Sequence, residues 1–335
     1  MSRFQPDHEQ GFDEYEEYES QFDPMYSNRR ARRRRRPKAH HTPKKSEGAV
    51  LESIAQKAGL EGGFETTYQP GLFEEGWLLE SLRGFYDQHL ITDVLSRVKG
   101  GKEANVYCCE ASPAVGTPLV AAKVYRPRMF RNLRNDKAYR EGRPVLTTRG
   151  HEVKKNDHRI MRAIGKKSAY GEQVAHTSWL MHEYTTLHRL YDAGGAVPRP
   201  IAASENTVLM SYHGDERSAA PTLNSVDLDY EELEPLFAEV MRNVRLLLRF
   251  GLVHGDLSAY NILYWRGKIT LIDFPQVVRI HTNRNAPTIL ARDIQRIVEY
   301  FAQQGLERDP DAIARELWAE YGIPAPDPLD GWDDN

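Results

Sequence analysis

The sequence predicts an α+β protein of two lobes, a small sheet-rich one followed by a mainly helical one. Three observations predict it. Apolar runs of strand length come early, in LITDVLSRV, ANVYCCEA and LVAAKVY. Amphipathic runs of helical period dominate from Gln173 onward. A length of 335 residues with 40% hydrophobic side chains suits about two domains, or one large domain with tails.

Taken in order, the chain opens on an acidic, tyrosine-rich stretch with Asp13, Glu14, Glu16, Glu17 and Glu19 in one cluster, followed by RRARRRRRPK at 29–38. Neither has a hydrophobic period, so residues 1–49 are predicted as a disordered tail, acidic then basic. Residues 1–46 carry 11 basic and 8 acidic side chains, a local charge of +3; with the whole chain at −3, the remainder holds −6. Folded structure is expected to begin between Val50 and Trp77.

The segment from Gly76 places Leu78, Leu82 and Phe85 at helical spacing. Two strands then flank Lys99-Gly100-Gly101-Lys102, and LVAAKVY from Leu119 is a third. Residues 126–167 are basic and poor in apolar side chains, a long insertion that reads as a loop or as a helix ordered by a ligand. A helix is predicted from Gln173 to Asp192, with Leu180, Leu187 and Leu190 on its apolar face and Gly194-Gly195 ending it. TVLMSY reads as a buried strand. Asp229 with Glu232 forms a capping-box pattern ahead of Leu233, Leu236, Phe237, Val240, Met241, Val244 and Leu248, and Gly251 stops that helix. NILYW and KITLID pair across Arg266-Gly267, and two amphipathic helices close the fold. Residues 326–335 are expected to be disordered, and there is no internal repeat.

Composition excludes some classes. No apolar run approaches the ~18 residues of a membrane-crossing helix. The first ten residues, MSRFQPDHEQ, lack the apolar region of a Sec-type signal. Adjacent Cys108 and Cys109 point to opposite faces of a strand, which disfavours a structural disulfide and suits a reducing cytosol. A cytoplasmic protein with no membrane partner is expected.

The chemistry concentrates in His254-Gly255-Asp256-Leu257-Ser258-Ala259-Tyr260-Asn261. Asp and Asn five residues apart, with a second Asp at 273 returned by a short hairpin, form a phosphoryl-transfer arrangement: one Asp orients a hydroxyl or water, and the Asn and second Asp hold metal ions on ATP phosphates. A polar turn would show the same short string, but an acid ending the paired strand has no packing purpose. Lys123 on an inner strand needs an acidic partner, and Glu183, alone on an apolar helix face, is the matching carboxylate. The Lys99–Lys102 turn brings backbone N–H groups near phosphate or is simply a hairpin; it is neither a Walker A nor a G-x-G-x-x-G sequence.

G-K-E-A-N-V-Y (Gly101 to Tyr107), H-G-D-L-S-x-Y-N-I-L (254–263) and I-D-F-P-Q (Ile272 to Gln276) together resemble the RIO family of atypical serine/threonine protein kinases, over roughly residues 76–325. With no evident winged helix before Gly76, the chain is more similar to the subfamilies without one. The resemblance implies a bilobal protein-kinase-like domain over 50–325, its N-lobe about 76–210 and C-lobe about 214–325. It implies ATP and Mg²⁺, with Mn²⁺ as a substitute. Asp256 becomes the catalytic aspartate, Asn261 and Asp273 the metal ligands, Lys123 the phosphate-binding lysine and Glu183 its helix partner. Nucleotide contacts fall to Gly100, Gly101, Lys102 and Ser258, with Val106, Ala121, Leu263 and Ile272 around the base and Met210, Ser211, Tyr212 and His213 as hinge. Asp273 also matches the position thought to accept phosphate transiently in some members.

The chain departs from the family pattern at one place and from ordinary kinases at another. Lys99-Gly100 stands where a Ser or Thr usually precedes G-K-E. Pro275 replaces the glycine of ordinary kinases, which fixes φ and disfavours an in/out flip of the segment. About 20 residues are expected between Asp273 and the next helix, too few for a long activation loop.

Three functions follow: a protein kinase or ATPase, an ATP-gated ribosome or RNA-binding assembly factor sharing the same site, and an aminoglycoside-type small-molecule kinase, which has no need of G-K-E-A-N-V-Y or a basic arm. The protein substrate is not read from the sequence. The arginine run 29–38 and the insertion 126–167 are candidate contacts for RNA or a ribosome, or else solvated charge.

Overall fold

A computed structural model describes residues 64, 66–101, 104–126, 144–147, 150–153, 157–166 and 168–322. The tail 1–49, most of the basic insertion, Lys102 and residues 326–335 lie outside the described residues. The chain divides into two compact units, Met1–Asn132 and Leu133–Asn335. The long helix 169–192 packs on the strands that follow it.

In the first unit, helix α1 (Leu72–Asp87) buries Trp77, Leu78, Leu82 and Phe85, the face expected from their spacing. It leads into an antiparallel meander of β1 (Ile91–Gly100), β2 (Ala104–Ala111) and β3 (Leu119–Tyr125). Val106 pairs with Lys123 and Cys108 with Ala121, so Val106, Ala121 and Lys123 share one face of the sheet. Cys108 and Cys109 are both free and both buried.

The second unit begins with a bridge between Leu146 and Glu152 and helix α2 (His158–Gly165), capped by Asp157. Helix α3 (Ala169–Asp192) starts four residues before the expected Gln173, because the Ser168 side chain caps it by accepting from Gly171 N at 3.1 Å. Gly171 is a packing residue, since a Cβ there would lie 2.1 Å from the Ala163 carbonyl oxygen.

Strands β4 (Pro200–Ala203) and β5 (Thr207–Ser211) form a hairpin. The sequence did not show β4, which is only four residues long and begins with Pro. Helix α4 (Tyr230–Arg249) forms the Asp229/Glu232 capping box and buries every apolar residue expected on its face. Strand β6 (Leu252–Val253) pairs with β9 (Val278–Arg279), and β7 (Ile262–Trp265) with β8 (Lys268–Leu271) across a two-residue turn in which Arg266 and Gly267 have φ of 51° and 75°. Helices α5 (Ala286–Gln303) and α6 (Pro310–Tyr321) complete the unit, with Phe237 of α4 edge-on to Phe301 of α5. Helix α5 starts at Ala286, so the path from Asp273 is shorter than expected. Among the described residues no helix is long and apolar enough to cross a membrane.

Candidate active site

The loop 254–261 joins β6 to β7 and is held from three sides. Gly255 has φ 87°, and a Cβ there would lie 2.3 Å from the Gln276 carbonyl oxygen, so only glycine passes between the two backbones. Its N–H donates to the Asp293 carboxylate of α5 at 2.8 Å, and the Arg292 guanidinium donates to its carbonyl. Burial lifts the Asp293 carboxyl above its ordinary range, and the Arg292 charge opposes that lift.

Asp256 is buried, and both its carboxylate oxygens are engaged. Oδ2 accepts from Asn261 Nδ2 at 3.1 Å, and the same Nδ2 donates to the Asp256 carbonyl at 2.8 Å. Oδ1 accepts from Arg296 Nη1 at 2.8 Å. Asp256 N donates to His254 Nδ1 at 3.3 Å; the proton of that ring therefore sits on Nε2, which donates to the Ile272 carbonyl at 3.2 Å. The His254 ring rests on Phe274 at 4.7 Å between centroids. One histidine thus ties the Asp256 loop to the end of the hairpin that carries Asp273.

The β7–β8 hairpin brings Asp273 back beside Asn261. Ile262 pairs with Leu271, and Ile272 N donates to the Asn261 carbonyl at 2.9 Å. Asp273 follows at φ 70°, a left-handed conformation that costs a non-glycine residue about 1 kcal/mol or more. The donor set fits Mg²⁺. Asn261 makes its two amide hydrogen bonds through Nδ2, which leaves Oδ1 as a hard oxygen donor, and Asp273 adds a carboxylate. Among the described residues no group of three His, Cys, Asp or Glu could hold a metal; Mg²⁺ bound by one or two protein oxygens and substrate phosphates needs none. Ser258 Oγ, between these residues, is buried with no hydrogen-bond partner.

The expected base-binding residues divide between the units. In the second, Leu263 and Ile272 are half-buried where the neighbouring Ile262 and Leu271 are core. At the expected hinge, Met210 pairs with Pro200, Ser211 N donates to the Arg199 carbonyl at 2.8 Å, and the His213 carbonyl accepts from Ala220 N at 2.9 Å. Tyr212 is half-buried, and burial lowers the His213 pKa. Glu183 is 1% exposed on the apolar face of α3, the burial its position predicted.

In the first unit, Lys123 is half-buried on β3 with its ammonium 5.2 Å from the Tyr125 ring centroid. Gly100 closes β1 opposite Asn105, and Gly101 N donates to Asn105 Oδ1 at 3.3 Å. That oxygen also accepts from Arg126 at 3.0 Å, while Asn105 Nδ2 donates to Glu74 of α1 at 3.1 Å and to Tyr107 Oη at 2.9 Å. Asn105, 1% exposed, therefore pins the glycine turn from below.

Sequence reasoning missed Asn105 and Glu74, and missed Arg292, Asp293 and Arg296 on α5. A signal existed for two of the helix residues. Asp293 and Arg296 fall within the buried stripe Ile289, Leu290, Ile294, Ile297, where a charge needs a partner as much as Glu183 does.

A family model described as the RIO domain matches residues 111–313. The RIO-type serine/threonine-protein kinase Rio1 of Haloferax volcanii is 33% identical over 229 residues, which cover 67% of this chain and 69% of that protein. Serine/threonine-protein kinase RIO1 of Chaetomium thermophilum is 30% identical over 232 residues, 66% of this chain but only 41% of the relative. Among solved structures, the Rio2 kinase–ADP/Mg²⁺–phosphoaspartate complex from Chaetomium thermophilum aligns with a TM-score of 0.51 at 19% identity, over 86% of this chain and 78% of that one; the likeness is one of fold.

Proposed function

The chain belongs to the RIO family of serine/threonine-protein kinases, and on that premise we propose that Asp256 orients the acceptor hydroxyl, or a water, for attack on the γ-phosphate of ATP. The observation that carries the reading is the joint placement of Asp256, Asn261 and Asp273, one loop and one hairpin locked by Asn261 Nδ2 and the Ile272–Asn261 bond. Asn261 and Asp273 hold the metal, Mg²⁺ with Mn²⁺ as a substitute. A bound Mg²⁺ would neutralise charge developing on the phosphate oxygens. Lys123 supplies the phosphate cation and Glu183 the family's helix carboxylate. Gly100, Gly101, Lys102 and Ser258 approach the phosphates, and Val106, Ala121, Leu263, Ile272 and the segment Met210–His213 take the base. A related solved structure is a phosphoaspartate complex. On a covalent route an Asp273 oxygen would first take the γ-phosphoryl group as ADP leaves, and the hydroxyl or water oriented by Asp256 would then attack the phosphorus and free the carboxylate.

The products include phosphoserine on protein, the chain's own serines among them, and free phosphate. The short path between Asp273 and α5, residues 274–285, favours a large share of free phosphate, because it offers little length for docking a peptide. The arginines at 29–38 and the basic insertion would contact RNA or a ribosome through phosphates, with a log–log salt slope of roughly −3.5 for about five cations on a single strand. Purified protein incubated with γ-labelled ATP and Mg²⁺ tests the reading. Label on protein or in free phosphate, lost in Asp256→Asn, supports it, and hydroxylamine release separates aspartyl phosphate from phosphoserine. Turnover undiminished in Asp256→Asn refutes it.

A further inference from the structure

We propose that Arg296 is a positioning residue for phosphoryl transfer, acting by fixing the Asp256 carboxylate; the inference rests on the reading of Asp256 given above. Three side chains from consecutive turns of α5 address two consecutive residues of the loop. Asp293 takes the N–H of Gly255, Arg292 takes its carbonyl, and Arg296 takes Oδ1 of Asp256 at 2.8 Å. The backbone on one side of Asp256 and one oxygen of its carboxylate are thereby referred to the same buried helix.

The ion pair is fully enclosed, with side-chain exposures of 3% for Arg296 and 7% for Asp256. Screening by water is small there, so protein groups, Asn261 and Arg296 among them, set the carboxylate orientation rather than solvent. Those partners differ in kind. Asn261 meets Oδ2 with a neutral amide that also serves the loop backbone and is a candidate metal ligand. Arg296 meets Oδ1 with a charge carried on the same helix that holds Gly255 through Arg292 and Asp293. Removing the guanidinium takes away the charged contact to Oδ1 and loosens the carboxylate about the Asn261 contact. A displacement of about 1 Å at a group that orients an acceptor costs roughly 10²-fold in rate. The nucleotide contacts proposed above do not involve Arg296, so the loss falls on kcat and not on nucleotide affinity.

The test compares Arg296→Met, Arg296→Lys and Asp256→Asn with the full-length parent in labelled-ATP turnover, titration with a fluorescent ATP analogue, and thermal melts. Arg296→Met is expected to lose on the order of 10²-fold in kcat per folded molecule, with KM and analogue affinity within about threefold. Arg296→Lys restores the charge but not the planar fork, and is expected to recover roughly tenfold of that loss. A brace that served stability alone would lower the melting temperature without separating kcat from KM. Folded Arg296→Met with kcat within threefold of the parent overturns the proposal. Where Arg296→Met does not melt cooperatively, Arg296→Lys decides: parental kcat overturns it, and reduced kcat at unchanged analogue affinity sustains it. Asp256→Asn keeps the two readings apart. Its loss of turnover beside an active Arg296→Met removes only the role of Arg296, whereas its full activity removes the assignment of Asp256 and this inference with it.

Discussion

Substituting Gly255 by Ala is a sharp probe of the loop. The residue has φ 87°, which costs an alanine about 1–2 kcal/mol. The added Cβ would also stand 2.3 Å from the Gln276 carbonyl oxygen, where contact requires roughly 3.3 Å. Both partners are backbone, so nothing can swing aside, and the strands of chain must part by about 1 Å. That movement strains the buried bond from Gly255 to Asp293 and the part-buried one from Arg292, each charge-assisted and worth about 1.5–3 kcal/mol. Partial loss of one of them brings the total to about 3 kcal/mol. For a folded region of this size that is a fall in melting temperature of roughly 6–12 °C. Asp256 is the next residue and moves with the loop, so turnover should fall by about 10²-fold. Calorimetry and labelled-ATP turnover on Gly255→Ala read both effects. Gly116→Ala is the control. It has φ 77° with nothing within 4 Å of the added Cβ, and should lose only about 1 kcal/mol and no activity. A Gly255→Ala protein that melts and turns over like the parent would refute the close approach and the coupling to Asp256.

Three further outcomes are expected. Asn261→Ala and Asp273→Ala should each cut Mg²⁺-supported turnover by on the order of 10²-fold, and parental rates in either would remove the metal assignment. Burial pushes the Cys108 thiol up to about 11 and raises Cys109 further, so native protein at pH 8 should alkylate on the order of 10²-fold more slowly than unfolded chain; rapid labelling would show the thiols are reachable. Burial lowers the His213 pKa below 6.5. Between the folded and unfolded values the unfolded chain binds more protons, so this contribution to stability is lost as pH falls through about 6.5, with a slope of at most about 1.4 kcal/mol per pH unit, and levels off below the folded value. Denaturation curves of the parent and His213→Gln that keep the same pH dependence would contradict that account.

The elements with a strong period were legible without a structure. The α4 face from Leu233 to Leu248, its capping box, the three-stranded meander and the Arg266-Gly267 hairpin all follow from local pattern, because side-chain period and turn chemistry act within a few residues. Asp256, Asn261 and Asp273 were legible for the same reason: a loop of five residues and one short hairpin suffice to bring them together. The start of α3 and strand β4 were not, since a glycine that packs and a glycine that breaks look alike in sequence and four residues carry no period.

What the chain determined by itself was therefore the kind of chemistry and the residues that lie close along the sequence. How that chemistry is held was decided by tertiary structure. Arg296 reaches Asp256 across 40 residues and Asp293 reaches Gly255 across 38. The helix period marks both side chains as misplaced charges on a buried face, but it does not say which backbone they meet. Only the packing of α5 against the loop makes that choice, because the cost of a buried charge fixes the need for a partner and leaves its identity to whichever group the fold brings within 3 Å.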